Sequence, residues 1–185
     1  MSTTATAGTQ TRTTWAIDPA HTHVAFAVKH LMISTVRGRF GGVSGTVHTD
    51  ESDWSKSGVE VEIDASTIDT REPQRDGHLK SPDFFDVEKH PKLTFKSTRV
   101  TGSGDQFKVI GDLTIHGVTK AVTLDVTSEG QAKDPWGGER AGFTATTAIK
   151  RSDFGLNWNQ VLETGGFLVG DEIKISLDVE LVKKA

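Results

Sequence analysis

Residues 70–91 read TREPQRDGHLKSPDFFDVEKHP and form the one stretch of this chain that lacks the alternation of a β-strand. Thr70 is predicted as the N-cap of a short helix that carries Pro73 in its first turn. Asp76, Gly77, Ser81 and Pro82 are expected to prevent a long helix from running through the segment. The stretch is therefore predicted to interrupt a chain that otherwise forms strands.

The second half of this insert carries a pair of aromatic rings. Ser81-Pro82-Asp83 predicts a second short helical turn, with the serine as its cap and the proline at its first position. Phe84 and Phe85 follow this turn, and Pro91 then forces the chain to extend. Two short helical pieces that end in a Phe-Phe pair predict a lid on a β-structure. A crossover that merely covers one end of that structure is the equal alternative.

The sequence on either side of the insert alternates between apolar and polar residues. The alternation is clear at 24–30, 59–65, 107–115, 141–149 and 173–181, and about eight strands can be counted. Short connections favour antiparallel neighbours in chain order. Such strands can close into a barrel with room for one ligand, although a two-sheet sandwich with a solid core fits the same periodicity.

Small residues stand at several positions that are expected to face the interior. They are Gly38, Gly111, Ala141 and Ala145. Side chains of this size leave space inside a barrel, which favours a cavity. A β-bulge or a close contact between strands explains the same residues equally well.

Composition limits the function further. The chain has 185 residues, a net charge of −4 without a single-sign run, and no cysteine. Disulfides, thiol nucleophiles and cysteine zinc sites are thus excluded, and no nucleic-acid partner is indicated. We expect a disordered tail over residues 1–13 and one domain over 14–185. With neither a signal-peptide pattern nor a long apolar run, the protein is predicted to be soluble and cytoplasmic.

Several motifs together resemble the YceI-like family of polyisoprenoid-binding, lipocalin-like proteins. They occur in the family's order and extend over most of the chain. The matching segments are DPAHTHVAFAVKH at 18–30, VRGRF at 36–40, RDGHLKSPDFFD at 75–86, HPKLTF at 90–95, GDLTIHGVT at 111–119 and RSDFGL at 151–156.

This resemblance implies an all-β fold, an eight-stranded antiparallel barrel with a short helical insert. It also implies an elongated apolar interior that holds a long isoprenoid or a similar fatty-acid-like lipid, without a cofactor and without established catalytic residues. Members of the family often form homodimers, and many are exported behind a signal peptide, a pattern that this sequence does not show. Lipid exchange with bilayers would require transient membrane contact.

The predicted ligand-binding residues are apolar or aromatic residues of the expected inner face and of the insert. They are Phe26, Val28, His30, Val36, Phe40, Phe84, Phe85, Phe95, Leu113, Phe143 and Trp158. His30 continues the face of Val28 to the end of its strand, where it could donate to a polar head group. A histidine bonded to a neighbouring loop is the alternative there.

Two other functional classes remain open. His21 and His23 have the spacing of two metal ligands on one side of a strand, which suggests a metal-dependent enzyme on a barrel fold. No third ligand with matching spacing is apparent, and no Gly-x-Ser-x-Gly motif is present. A solid sandwich that serves as an interaction module is the other alternative. The sequence favours non-enzymatic lipid binding over both.

Overall fold

The computed structural model describes residues 12–185, most of which lie in β-strands. Arg12 and Thr13, expected in the tail, are the first residues of β1; residues 1–11 lie outside the described part. The strands are β1 (Arg12–Ile17), β2 (His23–His30), β3 (Ser34–Phe40), β4 (Val43–Asp50), β5 (Gly58–Asp64), β6 (Lys92–Ser103), β7 (Gln106–Ile115), β8 (Val118–Lys133), β9 (Glu139–Lys150) and β10 (Val169–Lys183).

These strands close into the predicted eight-stranded antiparallel barrel. One edge of β10 pairs with β9, while its other edge pairs first with β2 and then with β1, so that β1 and β2 share one strand position. In the same way β3 pairs with β2 and β4 pairs with β1, so that β3 and β4 share a second strand position. The ten segments therefore fill eight positions, and the pairing of β1 with β10 closes the ring. The sandwich alternative is wrong.

Two of the eight strand positions consist of two segments each, and the sequence explains where each of them is interrupted. Between β1 and β2, Pro19 begins a 3-10 turn (Pro19–His21) whose N-cap is Asp18, which accepts a hydrogen bond from the Ala20 amide at 2.9 Å. Between β3 and β4, Gly42 has a φ of +57°, and a Cβ atom there would lie 2.9 Å from the Cβ of Asp64. Only glycine suits both constraints at this bend.

The alternation of β5 separates the barrel's interior from its surface. Val61 and Ile63 face inward, whereas Glu60 and Glu62 face solvent. On the outside, Glu62 accepts a hydrogen bond from Lys92 of β6 at 2.9 Å. The period of two gives β5 an apolar inner face and a charged outer face, which fixes its register in the barrel wall.

The helical insert differs in detail from its prediction. Its single helix, α1 (Pro73–Lys80), is capped by Glu72 and not by Thr70, and it runs through Asp76 and Gly77. Thr70 instead donates its hydroxyl and its amide to the Asp76 carboxylate, at 2.6 and 2.9 Å. This contact holds Asp76 in the first turn, where a carboxylate is favourable.

The predicted second helical turn forms non-helical turns. Ser81 ends α1 as its C-cap, and its hydroxyl accepts from the Asp83 amide at 3.3 Å. Hydrogen bonds from Phe84 to the Ser81 carbonyl and from Phe85 to the Leu79 carbonyl then fold the chain back. The Phe pair is thereby directed toward the barrel interior.

The segment before the insert lies along an edge of the barrel wall that no strand covers. β5 pairs only with β4 on that side, so β3 has no strand beyond it. Residues 65–70 take this place: Arg39 and Asp69 exchange two backbone hydrogen bonds, at 3.0 and 2.9 Å, and Thr67 bonds to Gly41. The segment that leads into the insert is consequently part of the wall.

Aromatic rings occupy the space beside two of the small inward-facing residues. A Cβ atom on Gly38 would lie 2.2 Å from the Phe26 ring, and one on Gly111 would lie 2.5 Å from the Phe95 ring. Close contact thus explains both glycines. Ala145 lines the cavity described below, whereas Ala141 is buried without lining it.

Candidate ligand-binding cavity

An apolar cavity of about 310 Å³ occupies the barrel interior. Its volume lies at the lower end of the range that is typical of small-molecule sites, roughly 300–1,000 Å³. Every strand position contributes to the wall, whose apolar side chains include Ile17, Val24, Phe26, Val28, Phe40, Val43, Val61, Ile63, Leu93, Phe95, Leu113, Leu124, Phe143, Ile149, Ile173, Ile175, Leu177 and Val179.

Each end of the cavity carries a phenylalanine against a tryptophan. At the end covered by the insert, Phe84 lies 5.4 Å from Trp158, between ring centroids, and Trp158 also contacts His78 at 4.7 Å. At the opposite end, Phe107 lies 5.0 Å from Trp54, which begins the 3-10 turn Trp54–Lys56. We call these the lid end and the far end.

A line of aromatic rings connects the insert with the first strands. Phe85 meets Phe40 edge-on with centroids 5.7 Å apart, and Phe40 lies 5.6 Å from Phe26. Aromatic pairs at these separations contribute about 0.5–1.5 kcal/mol beyond their buried area. The Phe-Phe pair of the insert is therefore packed into the cavity wall rather than displayed on the surface.

Arg151 is the only charged side chain in the cavity wall, within residues 12–185. It belongs to the 3-10 turn Arg151–Phe154, which follows β9. Its guanidinium donates to the carbonyl oxygens of Leu156, Trp158 and Gly170 at 2.7–2.8 Å. Burial lowers its pKa from the usual arginine value. The side chain thus holds the loop that carries Trp158.

The structure brings eight of the eleven predicted site residues to one cavity. They are Phe26, Val28, Phe40, Phe84, Phe85, Phe95, Leu113 and Phe143. Trp158 lies behind Phe84, while His30 and Val36 are half-buried near the tip of the β2–β3 hairpin and do not line the cavity. The His30 carbonyl, not its ring, accepts the local hydrogen bonds from Ile33 and Ser34.

His21 and His23 do not form the predicted strand pair. His21 lies in the 3-10 turn, and His23 opens β2. The His21 ring donates to Asp18 at 2.8 Å, which raises the pKa of His21. Hydrogen bonds from His21 and then from Arg140 lower the pKa of Asp18 to about 2. This group of charges is on the exterior of the barrel and stabilises the bend between β1 and β2.

A model of the YceI-like domain matches residues 15–181, which is nearly the whole described chain. The chain belongs to the YceI-like family. A UPF0312 protein of Vibrio parahaemolyticus is 40% identical to this YceI-like chain over 166 residues, which cover 89% of the chain and 84% of that relative.

Solved structures agree with this assignment of the YceI-like fold. The Campylobacter jejuni YCEI protein has 32% sequence identity and a TM-score of 0.69, with 85% of this chain and 90% of that chain covered. A polyisoprenoid binding domain from Saccharophagus degradans has 14% identity and a TM-score of 0.69, covering 92% and 98% of the two chains. At that identity the second likeness concerns the fold alone.

Sequence reasoning missed part of the cavity wall of this YceI-like chain. Trp54 stands in a polar turn region and nevertheless lines the far end. Arg151 was visible only as the first residue of the RSDFGL segment. The apolar residues of β10 could have been found, because their period of two is as regular as that of β2.

Proposed function

We propose that this YceI-like protein binds a long isoprenoid or a similar amphiphilic lipid inside its barrel, without catalysing a reaction. The observation that carries the proposal is the apolar wall of the cavity, in which Arg151 is the one charged side chain contributed by the described residues 12–185. A polar ligand would lose its hydration there without replacement hydrogen bonds. An apolar chain gains about 0.8 kcal/mol for each buried CH₂.

The family and the fold support this ligand class. The Saccharophagus degradans structure is that of a polyisoprenoid binding domain, and its barrel superimposes on 92% of this chain. Among residues 12–185, no helix combines the length and the apolar character that crossing a membrane requires.

Energetics favour carriage over irreversible capture. A chain of about 40 carbons has a transfer free energy from water near 30 kcal/mol, of which a cavity of about 310 Å³ recovers only the part that it encloses. The free lipid in water is consequently negligible. The competing site is a bilayer, whose interior is as apolar as the cavity, so transfer between the two is nearly neutral. The lipid would copurify with the protein and still exchange with membranes.

A bilayer is also the partner that fits the exposed apolar patch at the lid end. In this patch Met32, Ile33 and Val161 are 61, 83 and 73% exposed. Met32 and Ile33 lie in the connection between β2 and β3, and Val161 lies in the loop before β10. These two loops adjoin, because Leu31 donates its amide to the Leu168 carbonyl at 2.9 Å. The patch is at the same end as the insert, so contact with a bilayer would place the lid beside the ligand's reservoir. With a net charge of −4, we expect apolar contact with neutral lipids.

The decisive experiment is native mass spectrometry of protein purified without detergent, followed by denaturing extraction and identification of the lipid. One amphiphilic lipid molecule per barrel is the expected result. A protein that elutes empty and takes up no isoprenoid from vesicles would refute lipid binding. Homodimer formation and cytoplasmic location remain predictions, to be checked by light scattering and by cell fractionation.

A further inference from the structure

Asp86, His90 and His116 come together beside the lid end, although His116 is distant in sequence from the other two. One carboxylate oxygen and one nitrogen from each ring all lie within 4.8 Å of one another. The two imidazole rings are 4.9 Å apart between centroids. Asp86 and His90 belong to the insert, whereas His116 belongs to the turn between β7 and β8. The group thus spans two separate parts of the wall.

The local backbone directs these side chains toward one point. The His90 amide donates to the Asp86 carbonyl at 2.8 Å, and this i to i+4 turn puts both side chains on one side. Asp86 and His116 have φ values of +48° and +54°, in the left-handed region. Gly117 allows the close approach, since a Cβ atom there would lie 2.9 Å from the His90 ring.

The three groups lack the side-chain hydrogen-bond partners that three other histidines of this protein have. His21, His48 and His78 each hydrogen-bond to a nearby side chain at 2.8–3.0 Å. Within residues 12–185, the Asp86 carboxylate and the rings of His90 and His116 take part in no such bond and no ion pair. Because every fully buried side-chain nitrogen or oxygen there has a partner, these unpaired atoms reach solvent.

We propose that Asp86, His90 and His116 bind a divalent transition-metal ion such as Zn²⁺. Two imidazoles and a carboxylate are ligands that such ions prefer. Around a tetrahedral zinc, ligand atoms about 2.1 Å from the metal are about 3.4 Å apart. The atoms therefore need to approach by no more than about 1.4 Å, which small rotations of the three side chains provide. The remaining position is open to water or another ligand.

A second trio in the structure serves as an internal comparison. Ligand atoms of Asp18, His21 and Glu180 satisfy the same distance limit. There, however, Arg140 donates to Asp18 and to Glu180 at 2.7 Å each. A cation already occupies the position that a metal would take. The proposal therefore concerns the unpaired trio alone.

Metal binding at this place would fasten the insert to the barrel. Asp86 follows Phe84 and Phe85 directly, and Ile115, next to His116, lines the cavity. The metal would bridge the covering segment and the β7–β8 turn, so it would restrain the lid. This consequence for ligand release rests on the proposed lipid binding, whereas the metal site itself does not.

The experiment uses the full chain without a polyhistidine tag, stripped with a chelator and titrated with Zn²⁺ by calorimetry. We expect one ion per chain and a higher melting temperature with zinc. Asp86→Asn and His116→Asn preserve the left-handed backbone preference, and each should weaken zinc binding at least about tenfold. His21→Gln is the matched control and should leave the affinity unchanged.

Two results would overturn the site: no stoichiometric zinc binding, or binding that survives all the substitutions of the trio. Lipid release is then measured with and without zinc. If zinc binds through the trio and release does not slow, the metal site stands and the restraint on the lid is refuted. If no lipid is found in any sample, the proposed function fails while the zinc titration remains decisive for the site.

Discussion

If the insert is the gate of the barrel, removing a ring at the lid end should change ligand exchange in a way that removing one at the far end does not. Phe84 and Phe107 form a matched pair for this test, since each is 7% exposed, lines the cavity and packs against a tryptophan. Truncation of a buried phenylalanine costs about 3–5 kcal/mol. Phe84→Ala and Phe107→Ala are therefore expected to lose similar stability.

The assays are urea unfolding and the rate at which a fluorescent isoprenoid leaves the protein for acceptor vesicles. Phe84→Ala should release the lipid faster than the unmodified protein, because the ring that closes the lid end is gone. Phe107→Ala should unfold at a similarly reduced urea concentration but release lipid at the original rate. Equal acceleration by both variants would show that release follows global stability. No acceleration by a folded Phe84→Ala would mean that the insert is only a cover.

Three further outcomes are expected. Val28→Lys places an unpaired charge in the cavity, so the protein should fold and elute without lipid, while Ala27→Lys on the opposite face keeps its lipid in mass spectrometry; lipid retained by the first variant would refute the assigned inner face. Arg151→Met leaves several carbonyls without donors, and its unfolding free energy in urea should fall by at least about 3 kcal/mol; an unchanged value would contradict the loop-anchoring role. The pKa of Asp18 is lowered to about 2 by its bonds to His21 and Arg140, so its stabilisation is present above the unfolded value of 3.8 and is lost as pH falls toward 2. The unfolding free energy should therefore fall less steeply with decreasing pH in Asp18→Asn than in the unmodified protein. The same dependence on pH in both proteins would argue against a stabilising contact at Asp18.

The barrel was predictable because its determinants are local or periodic. The alternation of β5 and β10 specifies which side chains face inward, and short connections specify antiparallel neighbours. The interruption at Pro19 has an equally local cause, since proline cannot continue the strand ladder. These signals predict the wall and the six predicted cavity residues that lie on strands, without any knowledge of distant contacts.

The features that could not be predicted depend on contacts across the fold. Thr70 has the residue type of an N-cap, yet its hydroxyl bonds to Asp76 and leaves the cap to Glu72. Trp54 lines the cavity only because its turn folds over Phe107. His90 and His116 lack a recognisable spacing, because the barrel rather than the sequence makes them neighbours.

The central place of β10 in the wall has a consequence for how the chain folds. β10 pairs with β9, β2 and β1, and the register that closes the ring joins Trp15 to Lys183. Until β10 emerges from the ribosome, the open edges of its partners have nothing to pair with. Contacts between such distant residues also carry a large loop-closure cost, which slows folding. We therefore expect a nascent chain that needs protection from aggregation until its last strand is available.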